Sequence, residues 1–369
     1  MSFKTPSLED LVTAQIRAFS ANLEGADAGL LVNNLRPVAK ISAGGLYELH
    51  LALAKASDQK FVLTCEAGYL DRHGAEMKPP VSRKSAARAA GFVALTSTGP
   101  VTLATGAILS RSDGVQFAVE AGIVLPSAGS ADVRVTATAA GAAGNTAAGS
   151  ALSASSGLTG PATLSVASDG VGGGADAEQD ETYRARLLFA KAYPEHGGAP
   201  ADWLRYVLAV PGVTAAYIDP LAAGRGTVVV YPLFGSTRPS GIPTETERLL
   251  VKAALDLARP GAGLPVVRAA AAVPVDVTIS GLMPATPEVR NAVVAELAYA
   301  FARLGRVAGL SAAHPSMPFL AVPASFSRSW IWQAVANATG EDRHSVDAPA
   351  ADVSLTAGQI ATLGAVTFA

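Results

Sequence analysis

The sequence predicts an α+β, multidomain chain: a helical N-terminal arm, a small all-β domain, an α+β domain and a C-terminal α+β segment. Three observations carry this. The chain has 369 residues, two or three ordinary domains' worth. Its hydrophobic periodicity changes near residue 88, from helical spacing to short β-branched runs broken by turn dipeptides. A glycine run at 170–174, GVGGG, then precedes a return to mixed helix and strand patterns.

The first element reads as helix from residue 7 onward. Ser7 to Asp10 fits a capping box, and Leu8, Leu11, Val12 and Ile16 share one face. A second helical run follows around 30–55, with Pro37 and Gly44-Gly45 expected to interrupt it. A third, around 60–77, offers Leu63, Tyr69 and Leu70 as anchors, with Cys65 in the same helical stretch as a small buried hydrophobe. No dense apolar stripe runs through this region, so residues 1–87 read as an arm that packs against something else. From 88 to 169, runs such as GFVALTS, VQFAVEAGIVL and DVRVTATAA alternate with Thr-Gly-Pro, Ser-Asp-Gly and Ser-Ala-Gly-Ser, the spacing of an all-β domain. Residues 139–162 are low in complexity and read as a long loop on its rim.

Beyond the glycines, 170–283 reads as an α+β domain. It has helices at 178–193, 199–208 and 244–258 and strands in GVTAAYI and GTVVVYPLF. LPVVRAAAAVPVDVTISGL then gives one long strand or a strand pair. The last domain, 284–369, opens with Thr286-Pro287, an N-cap followed by proline at the first helical position. A helix near 329–338 and strands at 353–355 and 365–368 complete it.

Bulk chemistry narrows the function. With 28 basic and 30 acidic residues the net charge is −2, which argues against nucleic acid as a partner. The N-terminal stretch lacks the apolar core of a signal peptide, and no apolar run approaches the ~18 residues that span a bilayer. One cysteine excludes an internal disulfide and a cysteine-rich metal site. Charged residues make up 16%, against about 25% in an average protein. The surface is correspondingly rich in small, uncharged residues, suited to close coverage by neighbouring subunits.

GVGGGADAEQDETYRARLL, 170–188, is the segment with the strongest local signal. A phosphate loop would place a Lys or Arg beside the helix N-terminus. Here Asp176, Glu178, Asp180 and Glu181 already satisfy the helix dipole and would repel phosphate. A calcium loop of the helix–loop–helix kind needs Gly at its sixth place and Glu at its twelfth, where this chain has Glu181 and Leu187. The remaining reading is structural: the glycines turn the chain, the acids cap a helix, and Arg184 pairs with Asp180. His50, His73, His196, His314 and His344 are scattered without metal-ligand spacing. No Gly-x-Ser-x-Gly elbow is present, and nothing singles out a carboxylate pair. Trp330 and Trp332 read as core or interface residues. No residue pattern singles out an enzyme, a cofactor or a small-molecule substrate, and a carboxylate pair for glycan hydrolysis stays open because Asp and Glu are spread along the chain.

Several blocks, in order, carry a resemblance. YLDRHGAEMKPPVSRKSAARAAGFVAL (69–95), AILSRSDGVQFAVEAGIVL, ATAAGAAGNTAAGS, GGGADAEQDETYRARLL, HGGAPADWLRYVLAVPGVTAAYI and ARPGAGLPVVRAAAAVPVDVTISGL resemble the baseplate J-like family of contractile phage tails, Mu-like branch included. The match runs from about 60 to 283 and more loosely beyond. EMKPP, 76–80, departs from the family's glycine-bearing turn. The resemblance implies a structural baseplate wedge protein that joins copies of itself and other wedge and hub proteins into a sixfold ring and rearranges on contraction. It implies a place in the virion tail, with assembly in the host cytoplasm. It supplies no catalytic residues. Gly170, Gly172, Gly173 and Gly174 then read as a hinge between the β domain and the α+β domain, with a fixed corner as the alternative. The rival to the whole reading is a tail-associated cell-wall or glycan hydrolase, and a third is a receptor-binding module.

Overall fold

A computed structural model describes residues 5–25, 34–235, 240–261 and 263–369. It divides into two compact units: Met1–Arg83 with Gln179–Phe189, and Lys84–Glu178 with Ala190–Ala369. The chain is mixed α+β throughout, as its periodicity predicts.

In the first unit, helix α1 (Leu8–Asn22) starts at the predicted capping box: the Asp10 amide donates to Ser7 Oγ at 3.1 Å, and Ser7 Oγ donates to Asp10 Oδ2 at 2.6 Å. Helix α2 (Leu35–Asp58) packs along it. The expected interruption is absent. Pro37 sits in the first turn of α2, where its missing N–H costs no helical bond. Gly44 and Gly45 are carried inside the helix. The start expected for this run, residues 30–33, lies outside the described residues. Helix α3 (Ala67–Ala75) buries Leu70, but Leu63 and Tyr69 are exposed, and Val62 and Cys65 are the other buried anchors. Cys65 lies in the turn before α3 and not in a helix. Across residues 179–189 the chain returns to this unit. Tyr183 Oη donates to the Val81 carbonyl at 2.6 Å, in a space only glycine at position 74 leaves open.

The second unit opens with a barrel. Its strands are β1 (Ala90–Ser97), β2 (Val101–Leu103), β3 (Ile108–Ser110), β4 (Gln116–Val119), β5 (Ile123–Leu125), β6 (Gly129–Ala137), β7 (Ala151–Ala154), β8 (Leu158–Thr159) and β9 (Ala162–Gly172). Six of them close in the order β1-β6-β4-β3-β7-β9, and β5-β2-β8 forms a smaller sheet. Alternation drives it: Val93, Leu95, Leu109, Phe117, Val133 and Val135 point inward and are buried. The expected rim loop at 139–162 is partly sheet, because β7 pairs with both β3 and β9 and closes the barrel. Its Ala and Ser residues hide the alternation, and Leu152 alone marks the inward face.

Helices α4 (Asp180–Ala192) and α5 (Pro200–Leu208) follow. Next come β10 (Ala215–Pro220), β11 (Thr227–Leu233), α6 (Glu245–Ala258) and β12 (Leu264–Val267). β11 pairs antiparallel with β10 and parallel with β12, so α6 is the crossover that parallel pairing requires.

The C-terminal elements are β13 (Ala271–Met283), α7 (Pro287–Leu304), β14 (Ala324–Phe326), α8 (Arg328–Ala336), β15 (Arg343–Ala348), β16 (Val353–Leu355) and β17 (Gln359–Phe368). β12 and β13 are thus a strand pair in sequence and belong to different sheets. β13 lies between β15 and β17, and its Val275, Val277 and Ile279 pack with Val293 and Leu297 of α7 and Ile331 and Val335 of α8. Thr286 caps α7 as its sequence predicts, accepting from the Val289 amide. No helix among the described residues is long and apolar enough to cross a membrane.

Candidate functional site: the glycine joint

The glycine segment is buried from Gly170 to Gly174. β9 ends within it at Gly172. Gly170 and Gly173 have φ of 75° and 81°, a region that L side chains rarely adopt. At Gly174 the reason for glycine is space: a Cβ would lie 2.5 Å from the Gly141 carbonyl and 2.9 Å from Asn145 Oδ1.

Several backbone groups here have distant partners. The Gly173 amide donates to Glu247 Oε1 at 3.0 Å, and the second carboxylate oxygen of Glu247 accepts from the Thr244 amide at 2.8 Å. Glu247 is fully buried. One side chain thus closes the capping box of α6 and fastens that helix to the end of β9. The Gly174 amide donates to Asn145 Oδ1 at 2.9 Å, while Asn145 Nδ2 donates to the Gly174 carbonyl at 2.8 Å. This reciprocal pair satisfies both backbone groups of one residue. Ala175 and Ala87 exchange amide–carbonyl bonds of 2.8 and 3.1 Å.

Arg111 completes the arrangement from the barrel. Its Nη1 donates to the Asn145 carbonyl at 3.0 Å and to Thr146 Oγ1 at 2.7 Å, and its Nη2 donates to the Ala143 carbonyl at 3.0 Å and to Asp113 Oδ2 at 2.6 Å. The guanidinium holds the Asp113 carboxyl down at about 2, chiefly through its hydrogen bond. Arg111 is raised in turn, first by the same bond to Asp113. Lys84 Nζ donates to the Val213 carbonyl at 3.0 Å, while its backbone exchanges bonds with Glu178: amide to Oε2, and carbonyl from the Glu178 amide, each 3.0 Å.

Asp180 and Glu181 lie in the first turn of α4, while the other two acids of the cluster bond remote amides. Asp176 accepts from the Ala142 amide at 3.0 Å and Glu178 from Lys84. Asp180 pairs with Arg83 at 2.7 Å rather than with Arg184, whose nearest ion-pair partner is Glu181 at 3.5 Å. Arg83 also bonds Asp71 at 3.1 Å, and this two-carboxylate grip outcompetes an exposed i,i+4 pair. Among the described residues, no three His, Cys, Asp or Glu side chains converge on a metal position. His73 bonds the Gln59 carbonyl, His344 bonds Glu341 at 2.8 Å, and His196 is exposed. Trp330 meets Phe326 edge-on at 5.2 Å and Trp332 tilts against His344 at 5.0 Å, so both serve packing.

The other buried acids follow the pattern of Glu247. Asp202 accepts from the amides of His196, Gly198 and Ala199 at 2.8–3.2 Å. Asp219 accepts from the Leu310 amide at 2.9 Å and Ser311 Oγ at 2.7 Å. Chemically these carboxylates fix backbone. Sequence reading missed Glu247, although Thr244-x-x-Glu247 has capping-box spacing. It also missed Asn145 as the partner of Gly174 and Arg111 as the partner of Asn145, because nothing local links residues 29 and 34 positions apart.

Comparison with known proteins covers the barrel and the domain that follows it. Residues 92–173 match the barrel domain of Baseplate J-like protein, and residues 195–289 match its central domain. The chain is 30% identical over 383 aligned positions to Mu-like prophage FluMu protein gp47 of Haemophilus influenzae, covering all of both chains. It is 28% identical over 250 residues to Baseplate protein gp47 of Escherichia phage Mu, covering 68% of this chain and 69% of that one. A solved structure of the anti-feeding prophage baseplate aligns over 97% of each chain at a TM-score of 0.37 and 8% identity. The segments that meet at the joint, around Ala87, Arg111, Asn145 and Gly172–Gly174, are drawn from the sequence blocks that carried the resemblance, and with the full-length match they place this chain in the Baseplate J-like family.

Proposed function

We propose that this protein is a wedge subunit of a contractile phage tail or a related injection particle. It assembles with copies of itself and with other wedge and hub proteins into a ring around the tail hub, and it rearranges when the tail contracts. Its place is the tail baseplate of the particle, reached after assembly in the host cytoplasm. The observation that carries this reading is the unburied apolar surface of the helical arm. α1 buries no residue, α2 buries only Ala39 and Ala43, and Ile41 and Leu49 are 77% and 67% exposed. Val38, Ile41, Gly45, Leu49 and Ala52 recur at helical spacing on the same side of α2. A face of this kind is stable in water only at a cost that coverage by a neighbour removes.

The work of this protein is assembly rather than reaction. Its buried carboxylates Glu247, Asp202 and Asp219 accept hydrogen bonds from backbone amides. The glycine joint enters as part of the proposal. Gly170, Gly172, Gly173 and Gly174 are the residues about which barrel and following domain would reorient, and the bonds from Glu247 and Asn145 are those that would break. Hydrogen exchange of the 170–176 peptide in extended and contracted particles tests this. Faster exchange after contraction supports the hinge, and equal slow exchange in both states makes the segment a fixed corner.

Quantitative peptide mass spectrometry of purified, intact tails tests the assignment itself. The chain is expected at a low multiple of six beside the sheath and tube proteins. Its absence from particles, with abundance in the lysate, would overturn the wedge reading. A peptidoglycan zymogram then addresses the hydrolase rival, and an adsorption-blocking assay addresses a receptor-binding module.

A further inference from the structure

The outer face of α6 and the barrel rim beside it form a second apolar surface. α6 has two faces. Glu247, Val251 and Leu255 are its buried side. Thr246, Leu250, Ala253 and Leu257, spaced i, i+4, i+7, i+11, make a stripe on the other, with Leu250 exposed and Leu257 91% exposed. This stripe runs up to a cleft of about 460 Å³ whose walls include Phe92, Pro211, Leu249 and Leu250 and whose floor is Gly172, Gly173 and Glu247. Phe92 and Leu249 are both exposed there.

The charges around this surface are of one sign where they are available. On α6, Arg248 is paired with Glu245 at 2.5 Å and Lys252 with Asp256 at 2.5 Å, so the helix neutralises itself. Glu247 is fully buried and held by backbone amides. The rim of the cleft carries Arg134, which meets Glu120 at 3.1 Å, and Arg88, which is exposed and has no hydrogen-bond or ion-pair partner among the described residues. An occupant that meets this surface needs apolar side chains one and two helical turns apart and a carboxylate near its end.

We propose that the α6 stripe and the adjoining cleft are the docking site for an amphipathic helix with an acidic flank, supplied by a different protein of the assembly. The partner helix lies along Leu250, Ala253 and Leu257, its last apolar side chain enters the cleft against Phe92 and Leu249, and its carboxylate meets Arg88. The proposal deepens the assembly reading and rests on it. Before any rearrangement at the joint, the bond that the Gly173 amide donates to Glu247 ties the end of β9 to α6 and so preorganises the cleft floor for the partner.

The test uses the full chain and two synthetic helical peptides with the same leucine stripe, one flanked by glutamates and the other by lysines. Fluorescence anisotropy is expected to show at least tenfold tighter binding of the glutamate peptide. Arg88→Glu should remove that preference, and Leu250→Asp should abolish binding of both peptides. Circular dichroism of each variant confirms the fold, since both positions are exposed. Equal binding of the two peptides, or binding unaffected by Leu250→Asp, overturns the proposal. So does sedimentation showing self-association that Leu250→Asp abolishes, because the occupant would then be a second copy. Failure of peptide binding leaves the mass-spectrometric test of the wedge assignment untouched, so the two readings fall separately.

Discussion

Glu247 holds two segments with one carboxylate, and its replacement separates the parts of that role. Glu247→Ala leaves the Gly173 amide buried without an acceptor and opens a hole under the cleft. The expected loss is about 2–3 kcal/mol, read as a lower denaturant midpoint. Glu247→Gln keeps one acceptor oxygen and should cost less. Gly174→Ala tests space rather than hydrogen bonding. Its Cβ would meet the Gly141 carbonyl at 2.5 Å, Asn145 Oδ1 at 2.9 Å and the Ala89 Cβ at 3.0 Å. A loss of roughly 2 kcal/mol or more is expected in the same assay. Arg111 and Asp113 give a pH signature. The Asp113 carboxyl is depressed to about 2 in the folded chain, below its unfolded value of about 3.9. The stabilisation from this pair is therefore complete above the unfolded value and is lost as pH falls toward about 2. NMR titration of the Asp113 carboxyl should show this low midpoint, and Arg111→Leu should return it toward the ordinary carboxylate range.

Among the elements, α2 makes the sharpest prediction. Gly44 and Gly45 sit inside the helix, and a Cβ at either would meet nothing within 4 Å. Each glycine costs about 0.5–1 kcal/mol of helix stability relative to alanine. Gly44→Ala with Gly45→Ala should therefore raise the melting temperature of the isolated chain. If a neighbour approaches closely at this point of α2, the same variant should enter tail particles less well. Higher stability with unchanged incorporation would show that the glycines serve no contact. Local signals gave much of the element order. The Ser7 capping box and the Thr286-Pro287 start of α7 were readable because a cap is decided within four residues. β7 was not, since a strand of Ala and Ser owes its place to pairing with β3 and β9. Leu63 and Tyr69 misled for a related reason: periodicity names an apolar face but does not say which members of it find neighbours.

At the scale of the molecule, the exposed apolar surface on the arm gives an expectation for solution behaviour. The isolated chain should self-associate at tens of micromolar, since mass action favours coverage of that face as concentration rises. Ile41→Asp with Leu49→Asp should give a monomer of unchanged helicity by sedimentation and circular dichroism; a wild-type chain that is already a stable monomer would count against the arm as an assembly surface. The sequence by itself determined the fold class, many of the helix starts and the family, because periodicity, caps and ordered blocks are all local properties of the chain. Tertiary structure alone decided what the joint is made of. Asp180 turned to Arg83, Asp176 and Glu178 to remote amides, and Glu247 and Asn145 to the glycines. A buried polar group takes whichever partner the fold brings within about 3 Å, and that choice is made between residues tens of positions apart, where no local pattern records it.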